Sequence, residues 1–375
     1  MILMDVKIDN FFSFTDFHMN MSYPKKIIGS YIPVEWLEHY PNFRYKKVNV
    51  IMGANATGKT TFGQMLQDIF NFMDDKRFED IVQDICETDK PASFSVDLVL
   101  FGKMLYRVKT YFDAVYGKDY EPEDIHVQIS RTKIQAKDSY ETCARRLETD
   151  WEEPEELYTE ELEKIKGLSW QFVYPDDMAD FSLAYNNDLY LKVLEQTLKL
   201  LDPGIRKVER LKEVKNSLVI RMFDQDIVLQ KGNLSNISHL SSGTKNGLAI
   251  AEMLAGIFTG EYKFYYCDEK FSYVHSEVEK TMLTVMIQRL PTDGQLFFTT
   301  HNTDILDLPL PKHSFTFMCK EITETNAVIS CVYASDFLKR NTDSLRNAYE
   351  NDLFSSLPDT EDIYRLAEIT EQGDK

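Results

Sequence analysis

Gly53-Ala54-Asn55-Ala56-Thr57-Gly58-Lys59-Thr60 follows the apolar run Val48-Asn49-Val50-Ile51-Met52 and precedes a helix-like segment over residues 61–72. The spacing is G-x-x-x-x-G-K-[ST], set between a strand and a helix. Glycines in such a loop let successive backbone N–H groups turn inward around an anion, and the positive end of the following helix dipole points at it. Lys59 has the reach for the β- and γ-phosphates of a nucleoside triphosphate, and the Thr60 hydroxyl is a ligand type for Mg²⁺. The expected phosphate-binding set is therefore Gly53, Asn55, Ala56, Thr57, Gly58, Lys59, Thr60 and Thr61, in an α/β protein.

The rest of the composition bounds what such a loop can serve. At 375 residues with 43% hydrophobic content, the chain has material for one large α/β domain with an insertion, or for two domains. Forty-two basic against 61 acidic residues give −19, so the chain as a whole repels nucleic acid and anionic membrane. Contact with DNA would need a local basic patch or a partner. Cys86, Cys143, Cys267, Cys319 and Cys331 are odd in number and lack a CxxC spacing, which argues against a zinc site and a disulfide framework. A reducing, cytoplasmic setting is expected. Charge enters too early at the N-terminus for a signal peptide, and no apolar stretch approaches the roughly 20 residues of a membrane span.

Residues 1–10 alternate as a strand, and a second extended piece ends near Met21. Residues 22–44, rich in aromatics and prolines, read as an irregular connection. Residues 93–100 and 104–112 look like an antiparallel hairpin, with 125–134 as a third strand. Residues 138–167 are Glu-rich and predict two short helices, and 180–201 continues at helical spacing through Leu189, Val193, Leu194 and Leu198 until Pro203-Gly204. Arg206, Lys207, Arg210, Lys212 and Lys215 form the densest basic run. It is either a solvated face or a contact for DNA or a partner. Residues 218–222 and 227–230 read as a hairpin.

Three later stretches carry chemistry. His239-Leu240-Ser241-Ser242-Gly243-Thr244-Lys245 precedes a helical pattern over 247–258. Lys263-Phe264-Tyr265-Tyr266-Cys267-Asp268-Glu269 is an apolar strand ending in two acids, placed where α/β sheets bind ligands. Gln295-Leu296-Phe297-Phe298-Thr299-Thr300-His301-Asn302 is a second buried strand, ending in a histidine.

In this order the motifs resemble those of ABC-type ATPases of the SMC-like and OLD-like branch. The resemblance covers roughly residues 1–112 and 236–320, and it includes the opening Ile8-Asp9-Asn10-Phe11-Phe12-Ser13-Phe14. It implies a two-lobed P-loop ATPase with an antiparallel β subdomain and a helical insertion. The expected parts are a first ATPase lobe over 1–115, an acidic helical insertion with the basic segment over 116–235, a second lobe over 236–335, and an acidic tail over 336–375. By the resemblance, Ser241, Ser242 and Gly243 belong to a signature loop that grips the γ-phosphate held by a second copy of the chain. Ser242 and Thr244 depart from the usual L-S-G-G-Q. Asp268 with Thr60 would hold Mg²⁺, Glu269 would activate the attacking water, and His301 would be the switch histidine. Phe271-Ser272-Tyr273-Val274-His275 falls where a D-loop crosses the dimer. Either Gln128 or Gln135 could stand for the Q-loop glutamine.

The family's work is hydrolysis of ATP with Mg²⁺ in an ATP-sandwiched dimer. A middle region of about 120 residues is too short for a long SMC coiled coil. The layout resembles the ATPase subunits of bacterial anti-phage systems such as PARIS or Septu, which implies a separately encoded effector such as a nuclease. The alternative is a DNA-repair clamp using the 206–215 run. A scaffold with vestigial hydrolysis is opposed by the intact Lys59, Asp268, Glu269 and His301.

Overall fold

The structure is a computed structural model. It describes residues 1–100, 103–148, 156–176, 184, 186–211, 214–223, 225–230, 233–234, 242–272, 274–322, 327–340 and 342–357. In chain order the first elements are β1 (Ile2–Asp9), β2 (Phe17–Asn20), β3 (Trp36–Leu37), β4 (Tyr40–Arg44), β5 (Val48–Met52) and α1 (Lys59–Asp75). Then come β6 (Ala92–Leu100), β7 (Met104–Phe112), β8 (Ile125–Lys133), α2 (Tyr140–Arg146), α3 (Tyr158–Leu162), β9 (Trp170–Val173) and α4 (Asp188–Leu201). A meander of β10 (Ile205–Arg210), β11 (Ser217–Met222), β12 (Asp226–Gln230) and β13 (Asn233–Leu234) leads to α5 (Ser242–Thr259). Last are β14 (Phe264–Asp268), α6 (Ser276–Arg289), β15 (Gln295–Thr299), β16 (Phe315–Ile322), β17 (Ala327–Tyr333), α7 (Ala334–Phe337) and α8 (Leu345–Glu350).

Two sheets organise these elements. One is antiparallel with order β2-β1-β6-β7-β8, and the other runs β17-β16-β5-β15-β14-β9, parallel except for β17. Strands of a parallel sheet covered on both sides must be apolar on both faces, and β5, β14 and β15 are buried at every position. Side chains still alternate. Phe264, Tyr266 and Phe297 face α1 and the antiparallel sheet, whereas Tyr265, Cys267, Leu296 and Phe298 face α4, α5 and α6.

Helix α1 is the layer between the sheets. It buries Phe62, Met65, Leu66, Ile69, Phe70, Phe72 and Met73 against both of them. A Cβ at Gly63 would lie 2.5 Å from the Tyr266 ring. A bare backbone at that point lets the Tyr266 hydroxyl reach up and donate to Lys59 O at 2.7 Å, tying the first turn of α1 to β14.

The predicted hairpin is β6–β7, paired from Ala92↔Phe112 to Leu100↔Met104, with β8 as its third strand. The connection over 22–44, read as irregular, contains the small hairpin β3–β4. The span 116–235 holds two short helices, of which α3 is acidic while α2 carries one glutamate and two arginines, together with α4, β8 of the antiparallel sheet, β9 of the parallel sheet and the β10–β13 meander. A four-residue strand such as Trp170-Gln171-Phe172-Val173 is fixed by its neighbour β14, not by any pattern of its own.

Candidate functional site

Register brings the motifs together. Ile51 pairs with Thr299, and Thr299 pairs with Asp268, so β5, β15 and β14 end at one level. The glycine-rich loop, His301 and the acid pair leave the sheet side by side at its C-terminal edge. That edge is the ligand-binding rim of open α/β sheets.

The loop itself is shaped for an anion. A Cβ at Gly53 would lie 2.4 Å from Met318 O and 2.9 Å from Thr57 Oγ1, so only glycine fits there. Ala56 and Gly58 adopt left-handed backbone, at φ 62° and 93°, which turns the chain back on itself. Asn55 and Ala56 are exposed at the crest, while Thr57 is buried and donates to Ala54 O at 2.9 Å. Gly58 caps α1 without any side-chain hydrogen bond, and the first turn contains no acid. The N-terminal N–H groups of a 17-residue helix are thus left to an external acceptor.

Around that cradle, the side chains converge on two carboxylates. Lys59 Nζ donates to Gly53 O at 3.0 Å and Ala54 O at 3.1 Å, and lies 3.3 Å from Glu269 Oε1. Burial lowers its pKa, opposed by the Glu269 charge. The Thr60 hydroxyl donates to Asp268 Oδ2 at 2.6 Å, and the Thr299 hydroxyl donates to the other oxygen at 2.6 Å. Burial raises the Asp268 pKa against these two hydrogen bonds. Glu269 sits in left-handed backbone at φ 41°, with its N–H donated to Thr299 Oγ1 at 2.9 Å. His301 Nε2 is 2.8 Å from Glu269 Oε1, the same oxygen that Lys59 approaches. Burial alone would push Glu269 up. The hydrogen bond from His301 and the charge of Lys59 outweigh it, so the carboxyl lies below its ordinary range.

A hydroxyl and a carboxylate, both hard oxygen donors and already adjacent, fit Mg²⁺, which takes few protein ligands and keeps several waters. The chemistry of Thr60 and Asp268 is therefore right for the ion, and the cradle is right for phosphates. Thr299 was not singled out from sequence. Its hydroxyl joins the Asp268 carboxylate to the Glu269 backbone N–H, and its signal was a threonine closing the apolar run Leu296-Phe297-Phe298.

His301 is held by its neighbours. Thr300 donates to Glu279 Oε1 at 2.7 Å, and Asn302 donates to Glu279 Oε2 at 2.7 Å and to Ser276 Oγ at 3.0 Å. His275 caps α6, its Nδ1 accepting the Glu277 N–H at 3.2 Å. Phe14 packs beneath the loop, 3.6 Å from where a Gly58 Cβ would be, so the opening motif supports the cradle from below.

Other expected residues lie elsewhere. Ser241, Lys212 and Tyr273 fall outside the described residues, and Ser242 and Gly243 are the first residues of α5. Gln128 sits in β8 with Oε1 buried and unpartnered, and Gln135 is in the turn after it. Among the described residues, neither has a hydrogen bond to the glycine-rich loop. In the basic run, Lys207 pairs with Glu209, Arg210 pairs with Asp188 and donates to Ala184 O, and Arg206 stacks 3.8 Å over Phe223. Much of its charge is already answered within the chain. No helix among the described residues is long and apolar enough to cross a membrane.

No protein-family model and no curated protein matches the sequence. Solved structures do match. An SMC head bound to the C-terminal winged-helix domain of ScpA aligns with TM-score 0.52 and 11% identity, over 90% of this chain and 100% of that one. An SMC head with an extended coiled coil, bound to the C-terminal domain of ScpA from Pyrococcus furiosus, aligns with TM-score 0.50 and 10% identity, over 90% and 98%. At such identities the likeness shows the fold: the two-lobed, ABC-type P-loop ATPase architecture of SMC heads.

Proposed function

We propose that this protein binds ATP at the mouth of the glycine-rich loop and hydrolyses it with Mg²⁺. The observation that carries the reading is the convergence of Lys59, Thr60, Asp268, Glu269 and His301, from three adjacent strand ends, beside an uncapped helix N-terminus. Lys59 leaves its loop carbonyls to neutralise the terminal phosphates, and the N–H groups of residues 58–61 hold the anion. Thr60 and Asp268 would hold Mg²⁺, which would supply charge neutralisation on the phosphates. Glu269, kept ionised by His301 and Lys59, accepts the proton of an attacking water. His301 orients that carboxylate and senses the terminal phosphate.

The site is completed in trans. The 18-residue helix α5 begins at Ser242, and its first turn, preceded by Ser241, would close over the terminal phosphate bound to a second copy. ATP then joins two chains and hydrolysis releases them, two states separated by one chemical step. A separately encoded effector, as in anti-phage ATPases, would read that state; this last step rests on the sequence resemblance and is tested by what co-purifies with the protein.

The decisive experiment measures Mg²⁺-dependent ATP turnover and size-exclusion profiles of wild type, Lys59→Ala and Glu269→Gln. Wild type should turn over, Lys59→Ala should neither bind nor hydrolyse, and Glu269→Gln should bind and accumulate as a dimer. If Glu269→Gln with ATP elutes like the nucleotide-free wild type, the composite site is wrong.

A further inference from the structure

Residues 345–357 run across the rim of the proposed site and touch both the phosphate loop and the His301 loop. They are seated on β16, next to β5: the Phe354 ring lies parallel to Phe317 at 4.0 Å and 7°, Tyr349 stacks on the same ring, and Cys319 Sγ donates to Phe354 O at 3.0 Å. Asp352 Oδ1 accepts the N–H groups of Ser356 at 2.9 Å and Leu357 at 3.1 Å, which fixes the end of the segment.

From this seat the segment reaches in two directions. The Ala54 N–H donates to Ser356 O at 3.0 Å, and Ala54 O is one of the two carbonyls that hold Lys59 Nζ. Ser356 is 2% exposed, and its Oγ is buried without a partner. At the other end, Arg346 grips Asp307 through both carboxylate oxygens and donates to Asp304 Oδ1 at 2.8 Å. Asp304 Oδ2 accepts from Ser276 Oγ at 2.5 Å, and Ser276 is bonded to Asn302, the residue after His301. The two reaches meet again at one atom, because Lys59 and His301 both address Glu269 Oε1.

We propose that residues 345–357 form a strap that sets the distance between the phosphate loop and the His301 loop, with Arg346 as its positioning residue. The inference rests on the ATPase reading above and deepens it: phosphate entering the cradle draws Lys59 off the Ala54 carbonyl, and the strap transmits that shift to the His301 loop. Arg346 bridges Asp304 and Asp307 on a partly exposed surface, where ion pairs in water each contribute little, so its removal should cost a small part of the global stability. Its loss should instead misplace His301, and small misplacements are costly in rate.

The test uses the full chain with Arg346→Ala, Arg346→Lys, Asp304→Asn and the Arg346→Ala/Asp304→Asn pair. Affinity for a fluorescent ATP analogue, kcat and Tm are measured for each. Arg346→Ala is expected to lower kcat about tenfold while affinity stays within about twofold and Tm within a few degrees. Arg346→Lys should recover part of the loss, and the double variant should be no worse than the worse single one, since both break one connection. ATP should slow amide exchange over 345–357 in wild type and leave it unchanged in Lys59→Ala. An Arg346→Ala protein with wild-type kcat, or one whose kcat, affinity and Tm fall together, overturns the strap while leaving the ATPase reading standing. Absence of turnover in wild type removes that reading, and the strap with it.

Discussion

The strands of the parallel sheet end twice, and each end carries nearly the same chemical groups. At the C-terminal end stand Lys59, Glu269 and His301; at the N-terminal end stand Lys46, Lys47, Glu35 and His313, all buried. The partners differ. Lys46 Nζ donates to Asn20 O at 2.9 Å and lies 3.3 Å over the Tyr333 ring, Lys47 donates to Pro33 O at 2.9 Å, and His313 is 2.6 Å from Glu35 Oε1 and stacked on Tyr23. Each group there has its own fixed partner. At the other end Lys59 and His301 share one oxygen, beside a loop whose N–H groups face an open cradle. A lysine, a glutamate and a histidine make a candidate site only when their remaining valences point at one place.

The comparison breaks most visibly at Lys59. Lys59→Ala should reduce turnover by more than about a thousandfold and abolish nucleotide binding, while a urea midpoint stays close to wild type, because Glu269 keeps its contact with His301 and Ala54 O keeps the Thr57 hydroxyl. Glu269→Gln should retain binding and lose roughly a hundred- to a thousandfold in kcat, as expected for removal of a general base. Single-turnover assays separate the two. If Lys59→Ala instead unfolds the protein, the two ends of the sheet are alike and the C-terminal cluster is structural.

The converse holds for Glu35→Ala. It removes one partner of a buried pair and should cost about 3 kcal/mol in denaturant unfolding. Turnover per folded molecule should stay within about twofold of wild type. A large loss of kcat without a loss of stability would make the N-terminal cluster functional.

The C-terminal end was readable in the sequence because each of its parts closes a short apolar strand and is chemically conspicuous: Gly53 to Thr60, then Asp268-Glu269, then His301. Strand register did the rest, and register in a buried parallel sheet follows from which runs are apolar throughout. Thr299 was hidden because a threonine in a strand is ordinary until its hydroxyl is seen between the Asp268 carboxylate and the Glu269 N–H. The strap was hidden because Ala54 and Ser356 meet only through the folded sheet, and neither residue type signals a contact. Lys46 and Lys47 gave no signal of their own: two lysines beside an apolar run do not show which carbonyls will hold them, and the Asn20 and Pro33 carbonyls turn both inward.

Lys46 offers the smallest and most graded effect. It is 3% exposed and, among the described residues, has no acidic hydrogen-bond partner, and burial depresses its pKa from 10.5 to about 7 against opposing pulls from Cys331 and Asp336. A base whose folded pKa lies below its unfolded one is bound to fewer protons in the folded state between the two values. The unfolded chain holds the extra proton across that window, so stability should rise as pH goes from about 7 towards 10.5, by at most about 1.4 kcal/mol per pH unit. Below pH 7 both states are protonated and the burial cost is present in full. Lys46→Met keeps the volume and removes the proton, so it should raise the neutral-pH midpoint and flatten the slope between pH 7 and 9. Urea unfolding at several pH values reads this directly. A wild-type slope that persists in Lys46→Met would assign the effect to another group and leave Lys46 charged on the Tyr333 face. The same substitution should leave kcat untouched at every pH, because Lys46 stabilises or destabilises the sheet from the end that phosphate never reaches.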